Sequence, residues 1–366
     1  MTRRSARRRI LVAAAAAVLA ATTTLVTTGA AQGAGVTVDP TPWALRVPPP
    51  GEDSNVTAGI KTSLNDPARD PIGANDWSCQ PSAAHPEPVI LLHGTWECAY
   101  ENWNGLAPIL KDQGYCVYAL NYGAPNGVSP FNGVGDLLAA SEEITAFVQR
   151  VVQATGAEHV ALIGHSQGGA QARYVTNLLL PEGLVTKVIA LGPTNHGTTM
   201  SGLTRLGTIL GVKKVAFSVL NKMDMPGAVQ QAQPKGPFYV NLNGNGETIP
   251  GVDYTVIATK YDEISTPYKR AFITPGPGAT VDNITLQDVC RKDLSDHFSM
   301  SYSKNVAQIV LNKLDPEHPH AILCYPQMPI LGSMNPADRC GFILSPIIRV
   351  MGILLPNLRG QCGSLG

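Results

Sequence analysis

Residues 159 to 171 read HVALIGHSQGGAQ. A short apolar run at 160 to 163 ends in Gly164-His165-Ser166-Gln167-Gly168, and the residues that follow favour helix. Strand, tight turn and helix form the setting in which a G-x-S-x-G serine is lifted clear of the backbone and made available as a nucleophile. Gly164 and Gly168 are small enough for strand and helix to pass close by. The turn also sets the Gln167 N–H at a helix N-terminus, where unpaired amides and the dipole favour a developing negative charge. A Gly-rich turn in an ordinary α/β protein would share the pentapeptide. The reading therefore gains weight only if the rest of the chain supplies a base and an acid.

Upstream, the apolar run 88 to 92 breaks into His93-Gly94-Thr95. A strand-ending turn of this kind is where a second oxyanion donor lies, which assigns that role to the Thr95 N–H, with its hydroxyl as a further donor. Residues 102 to 112 fit a helix and 115 to 120 a strand. A long amphipathic helix over 134 to 153 carries Val134, Leu137, Leu138, Ile144, Phe147, Val148, Val151 and Val152 on one stripe. After the serine turn a helix runs to Leu180, where Pro181 stops it, and 185 to 191 is the next strand. Alternating strands and helices give an α/β class with a mostly parallel central sheet flanked by helices.

Residues 195 to 250 interrupt that rhythm with apolar stripes, Leu203, Leu206, Ile209 and Leu210, then Val215, Phe217, Val219 and Leu220. This insertion reads either as a lid or acyl-site wall, or as extra helices packed on the body. The rhythm resumes with strands expected at 254 to 258 and 284 to 289 and a helix over 300 to 314. Asp262 follows the first of these strands and His297 the second, so the chain order is Ser166, Asp262, His297, the order of an α/β-hydrolase triad. Glu263 is the nearest competitor for the acid. His196 breaks the order, and the pair His318 and His320 reads as loop histidines in preference to metal ligands.

The N-terminus has a different character. Arg3, Arg4, Arg7, Arg8 and Arg9 precede an apolar run at 10 to 26 and small residues at 29 to 31, so 1–31 reads as a secretory signal peptide, with a twin-arginine export route open. Without those five arginines, 22 basic residues face 27 acidic ones, a net charge of −5, and nucleic acid is not an expected partner. Residues 32–85 are rich in Pro, Gly, Asp and Asn and read as an N-terminal arm laid over a catalytic domain at 86–320. Of 366 residues 44% are hydrophobic and 15% charged, ample for a core beneath a sparsely charged surface. Seven cysteines in an exported chain point to disulfides, with a connectivity that spacing cannot fix, and no C-x-x-C pair suggests zinc.

Taken together, ILLHGTWE, GHSQGG, ALGPTNHGT, ATKYDEISTPY and LSDHFS resemble the secreted bacterial class 2 triacylglycerol lipases, and also the fungal lipase B enzymes. The likeness runs from about Trp77 to Leu314. It implies an α/β-hydrolase fold and a secreted, extracellular serine lipase acting on acylglycerols. Ser166 would be nucleophile, His297 base, Asp262 its partner, and Thr95 with Gln167 the oxyanion donors. A short-chain carboxylesterase or polyester hydrolase with an open cleft is the alternative within the enzymes, and a non-catalytic surface binding module the alternative outside them. The resemblance further implies disulfides Cys79–Cys116, Cys290–Cys324 and Cys340–Cys362, leaving Cys98 unpaired. The last bridge would make 321–366 a stapled C-terminal extension around the apolar run 342 to 355, which is too short to span a bilayer. The chemistry calls for no organic cofactor or catalytic metal, a structural calcium stays open, and the expected partner is a lipid or ester substrate met by a monomer with no transmembrane segment in its mature chain.

Overall fold

The structure is a computed structural model that describes residues 25–26, 36–48, 52–53, 55–124, 129, 131–198 and 226–329. In chain order the strands are β1 (Leu25–Val26), β2 (Val89–Leu92), β3 (Val117–Leu120), β4 (Val160–His165), β5 (Val185–Leu191), β6 (Asp253–Ala258), β7 (Thr280–Thr285) and β8 (Ile322–Leu323). The helices are α1 (Val56–Asn65), α2 (Ala99–Trp103), α3 (Ala107–Asp112), α4 (Leu137–Thr155), α5 (Gln167–Leu178), α6 (Pro226–Gln231), α7 (Pro237–Gly244), α8 (Leu286–Val289) and α9 (Lys304–Leu314).

Strands β2 to β7 form one parallel sheet in the order β3-β2-β4-β5-β6-β7. Every residue of β2 and β4 is buried, as a strand covered on both faces requires. Successive side chains point to opposite faces. Ile90, Leu92, Leu162 and Val188 share one core with Ile144, Val148 and Val151 of α4 and Val175 of α5. Val89, Leu91, Ala161 and Ile163 share the other with Trp103 of α2, Leu110 of α3 and Val306 and Val310 of α9. Layers of helix, sheet and helix follow directly from that alternation, and the architecture is that of an α/β-hydrolase.

Local signals fix the helix ends. The Asp136 carboxylate accepts the Leu138 and Ala139 N–H groups at the start of α4, and Gly156, at φ 66°, closes it in the left-handed conformation that glycine adopts without steric cost. Ser303 caps α9 through the Asn305 and Val306 N–H groups.

Two expectations are corrected, and one element is added. The arm contains a true helix, α1, capped by the Asn55 side chain on Ala58 N–H. Residues 102 to 112 are not one helix, since α2 ends at Trp103 and α3 begins at Ala107. The last strand of the parallel sheet is β7 at Thr280–Thr285, and residues 286 to 289 coil into α8. Leu286 and Val289, three apart, are buried from one helical face, whereas β7 is an edge strand whose Asp282 and Asn283 leave it little apolar signal.

Disulfides join Cys79 to Cys116 and Cys290 to Cys324. The first ties the arm to the sheet edge at β3, and the second ties the end of α8 to the segment after β8. Cys98 is buried and unbridged, its sulfur 3.0 Å from the Ser63 hydroxyl, and burial pushes the thiol up to about 11. The His320 ring lies tilted against Trp43 with centroids 3.9 Å apart, and His318 sits on Asp315. β1 pairs antiparallel with β8. The remainder of the expected leader, residues 199 to 225 of the insertion, and the C-terminal run with Cys340 and Cys362 lie outside the described residues. Among the described residues no helix is long and apolar enough to cross a membrane.

Candidate active site

Four loops converge at the carboxyl end of the parallel sheet. Thr95 follows β2, Ser166 follows β4, Asp262 follows β6, and His297 lies beyond β7 and α8. In open parallel sheets this edge is where ligand sites gather, because the strands deliver their loops there.

The serine turn is built by exclusion of side chains. A carbon attached to Gly164 would collide with the Gly168 carbonyl, and one attached to Gly168 with the carbonyl of Leu92. Ser166 itself holds φ 54° and ψ −120°, a conformation that L-residues avoid and that is maintained here by the strand and helix on either side. Its N–H donates to the Leu191 carbonyl at 2.8 Å. The residue is 5% exposed.

His297 and Asp262 meet directly, with Nδ1 3.0 Å from Oδ2. The other carboxylate oxygen accepts the Ile264 N–H at 2.9 Å and the Ser265 N–H at 2.6 Å. Burial pushes the Asp262 carboxyl up, but His297 and the two amides outweigh it and hold the group below the usual carboxylate range. Burial pulls His297 down, yet Asp262, then Glu263 and Glu97, raise it to about 9. Gly192, at φ 50° after β5, makes room for the pair: a side-chain carbon there would lie 3.1 Å from Asp262 Oδ2 and 3.2 Å from His297 Nδ1. Glu263, the rival acid, accepts the His297 backbone N–H at 3.2 Å and not the ring. Burial and neighbouring Asp296 push its carboxyl up to about 7. Among the described residues no hydrogen bond joins the Ser166 hydroxyl to His297, a contact that in serine hydrolases tightens when substrate is bound.

Thr95 and Gln167 are brought together as well. The Gln167 Nε2 donates to Thr95 Oγ1 at 2.9 Å and to the Gly133 carbonyl at 2.8 Å. Gln167 is the first residue of α5, so its N–H has no partner within the helix.

Two contributions were not visible in the sequence reading. Gln231, at the end of α6 in the insertion, donates through Nε2 to the same Thr95 hydroxyl at 2.6 Å, while its backbone carbonyl accepts the Thr198 N–H. No local pattern marks that glutamine, since its partner is far away in sequence. Glu97 is buried behind the site with its carboxylate on the Gly94 N–H and the His165 ring. An acid so close to an apolar strand was the signal that could have flagged it.

The arrangement offers a serine on a strained turn, an imidazole oriented by a buried carboxylate, and backbone donors at a helix start. Such a set is suited to attack on an acyl carbonyl. Known proteins share sequence and fold with this chain. A family model described as Lipase (class 2) matches residues 86–297. A triacylglycerol lipase of Pseudarthrobacter phenanthrenivorans is 36% identical over 121 residues, covering 32% of this chain and 35% of the relative. One from Burkholderia plantarii is 36% identical over 121 residues, covering 32% of each. The matched segment thus spans about a third of the length of these relatives. Among solved structures, Aspergillus fumigatus lipase B superposes with a TM-score of 0.51 at 19% identity, covering 77% of this chain and 64% of that one, a likeness of fold.

Proposed function

Since the chain belongs to the class 2 lipase family, we propose that it is an exported serine ester hydrolase acting on neutral acyl esters, chiefly acylglycerols. The observation that carries the reading is the 3.0 Å contact between His297 Nδ1 and Asp262 Oδ2 at the same sheet edge as the strained Ser166.

In this mechanism Ser166 Oγ attacks the ester carbonyl as His297 Nε2 takes its proton. Asp262 holds the imidazole in the tautomer that leaves Nε2 free to accept, then stabilises the cation that forms. The tetrahedral oxyanion is bound by the Thr95 and Gln167 N–H groups, each such donor contributing about 3 kcal/mol of transition-state stabilisation. Proton return from His297 to the departing alcohol leaves an acyl-enzyme. A water activated by the same imidazole then releases the carboxylic acid. None of these steps requires a cofactor.

Export is supported by the basic and apolar N-terminal segment in the sequence and by the two disulfides, which persist in oxidising compartments. The substrate class rests on the relatives, which are triacylglycerol lipases. The test is labelling by a serine-reactive alkyl phosphonate, followed by rates on soluble short esters and on emulsified long-chain triglycerides. Labelling at Ser166 with turnover of both substrates is expected. A phosphonate that leaves Ser166 untouched would sink the reading.

A further inference from the structure

Directly behind the candidate triad lies a second acid–imidazole pair. His165, the residue before the nucleophile, is wholly buried, and Glu97, two residues after Thr95, is 5% exposed. His165 Nδ1 is 3.0 Å from Glu97 Oε2, and His165 Nε2 is 2.8 Å from the carbonyl oxygen of His297. A carboxylate and a carbonyl only accept hydrogen bonds. Either neutral tautomer of His165 would therefore press a nitrogen lone pair against an oxygen lone pair. Only the imidazolium, with a proton on each nitrogen, satisfies both contacts at once. The Asn102 amide sets Nδ2 2.9 Å from the same Nδ1 and leaves its Oδ1 without a partner among the described residues; the ion pair requires this amide in the opposite orientation, with Oδ1 accepting from Nδ1.

Glu97 is built in with equal care. Its Oε2 also accepts the Gly94 N–H at 2.7 Å, so one oxygen receives two donors, as an ionised carboxylate does. A side-chain carbon on Gly94 would strike that oxygen, which gives this glycine a reason independent of its turn. Among the surrounding titratable groups His297, raised to about 9 with Asp262 as its strongest partner, is a further charge beside the pair. Burial lowers His93 to about 4 and keeps it neutral, burial and then Glu97 push the Glu101 carboxyl well up, and burial pushes the Tyr122 phenol up. His297 lies alongside, its ring centroid 4.9 Å from that of His165.

We propose that Glu97 and His165 form a buried carboxylate–imidazolium pair that positions the three reactive segments for acyl transfer. Gly94 N–H ties the pair to the oxyanion turn, His165 ties it to the nucleophile turn through the chain, and the His297 carbonyl ties it to the base. This rests on the ester hydrolase reading, because positioning has meaning only for a reaction. Neither residue touches substrate. Each acts through its neighbours.

The test has two arms on the full chain. In the first, NMR of protein labelled with nitrogen-15 in its histidine rings reads His165 directly, in the wild type and in Ser166→Ala, with assignment by loss of the signal in His165→Gln. Both ring nitrogens are expected to carry slowly exchanging protons at neutral pH. One bare ring nitrogen at neutral pH would overturn the ion pair. In the second arm, Glu97→Gln keeps shape and an acceptor for Gly94 but removes the charge. Turnover of a soluble short ester is expected to fall roughly 10- to 100-fold in kcat with KM changed by less than about two-fold, the pattern of misplaced reacting groups. An unchanged kcat would overturn the positioning role. If that variant does not fold, Glu97→Asp, which retains the charge but draws it back by one methylene, is read in the same way. A wild-type chain that the phosphonate fails to label overturns the hydrolase reading and the positioning role with it, while NMR still reports the protonation of His165.

Discussion

Asp262–His297 and Glu97–His165 have the same first contact, a carboxylate oxygen 3.0 Å from Nδ1, in equally water-poor surroundings. They differ at the opposite nitrogen. His165 commits Nε2 to a backbone carbonyl, whereas His297 Nε2 has no hydrogen-bond partner among the described residues. An imidazole can relay a proton only through a nitrogen that is not already spoken for. One pair is thus fitted for chemistry and the other for holding still. Burial and ion pairing alone do not distinguish them.

The contrast can be broken most severely at the serine. Ser166→Ala should reduce ester turnover by on the order of 10⁵- to 10⁶-fold, and adding His297→Ala should cost little more, because the two act as a unit. Steady-state kinetics with thermal unfolding as a control checks this, and appreciable turnover in the single variant would refute the assignment. Next, Asp262→Asn should lower kcat about 10⁴-fold by presenting the wrong imidazole tautomer. Glu263→Gln, at a carboxylate that accepts the His297 backbone N–H, should lower it far less. The reverse ranking would transfer the acid role to Glu263.

A smaller effect is expected from Thr95→Val, which keeps the backbone donor and removes the hydroxyl. A loss of up to about 100-fold in kcat is expected if the hydroxyl donates to the oxyanion, and wild-type kcat would restrict the role to the N–H. The pH profile sharpens the comparison further. His297 must be neutral to act as base, and its environment raises it to about 9, so kcat/KM should climb through neutrality and level off above that value. Asp262→Asn, by removing the largest raising influence, should move this limb to lower pH. The same shift bears on folding. A raised imidazole stabilises the native state fully below its ordinary value of 6.5, and that contribution is lost as pH rises through about 9. Smallest for activity, removal of Cys79–Cys116 by paired alanines should cost about 2–4 kcal/mol of stability while leaving kcat near wild type, read by denaturant unfolding.

How much of this was legible in the sequence follows from how local each signal is. The serine turn is written in five consecutive residues, and β4 and α5 on either side obey simple apolar patterns, so strand, turn and helix could be placed closely. β7 could not, because TVDNIT is an edge strand whose pairing with β6 is made by backbone while its side chains remain largely polar. The apolar pair Leu286 and Val289 drew the expected strand four residues towards α8. α1 escaped notice because its apolar residues are sparse and the Asn55 cap resembles any loop asparagine. In the site, order along the chain pointed to Ser166, Asp262 and His297, and the structure brings Asp262 and His297 into contact. Gln231 was illegible as a partner because its contact with Thr95 bridges distant segments, and Glu97 showed only as an acid unusually close to an apolar strand.

Thr95 carries one more consequence. Its oxygen accepts hydrogens from two glutamine amides, Gln167 at 2.9 Å and Gln231 at 2.6 Å, each of which is also held by a backbone carbonyl, of Gly133 and Gly227. A hydroxyl oxygen has two lone pairs, and both are occupied. What is ordinarily a free rotor becomes a fixed dipole, its hydrogen aimed by elimination along the single remaining tetrahedral direction. One of the two amides that set that aim belongs to the insertion, so a change of sequence in residues 195 to 250 can turn the needle without touching the turn that carries it.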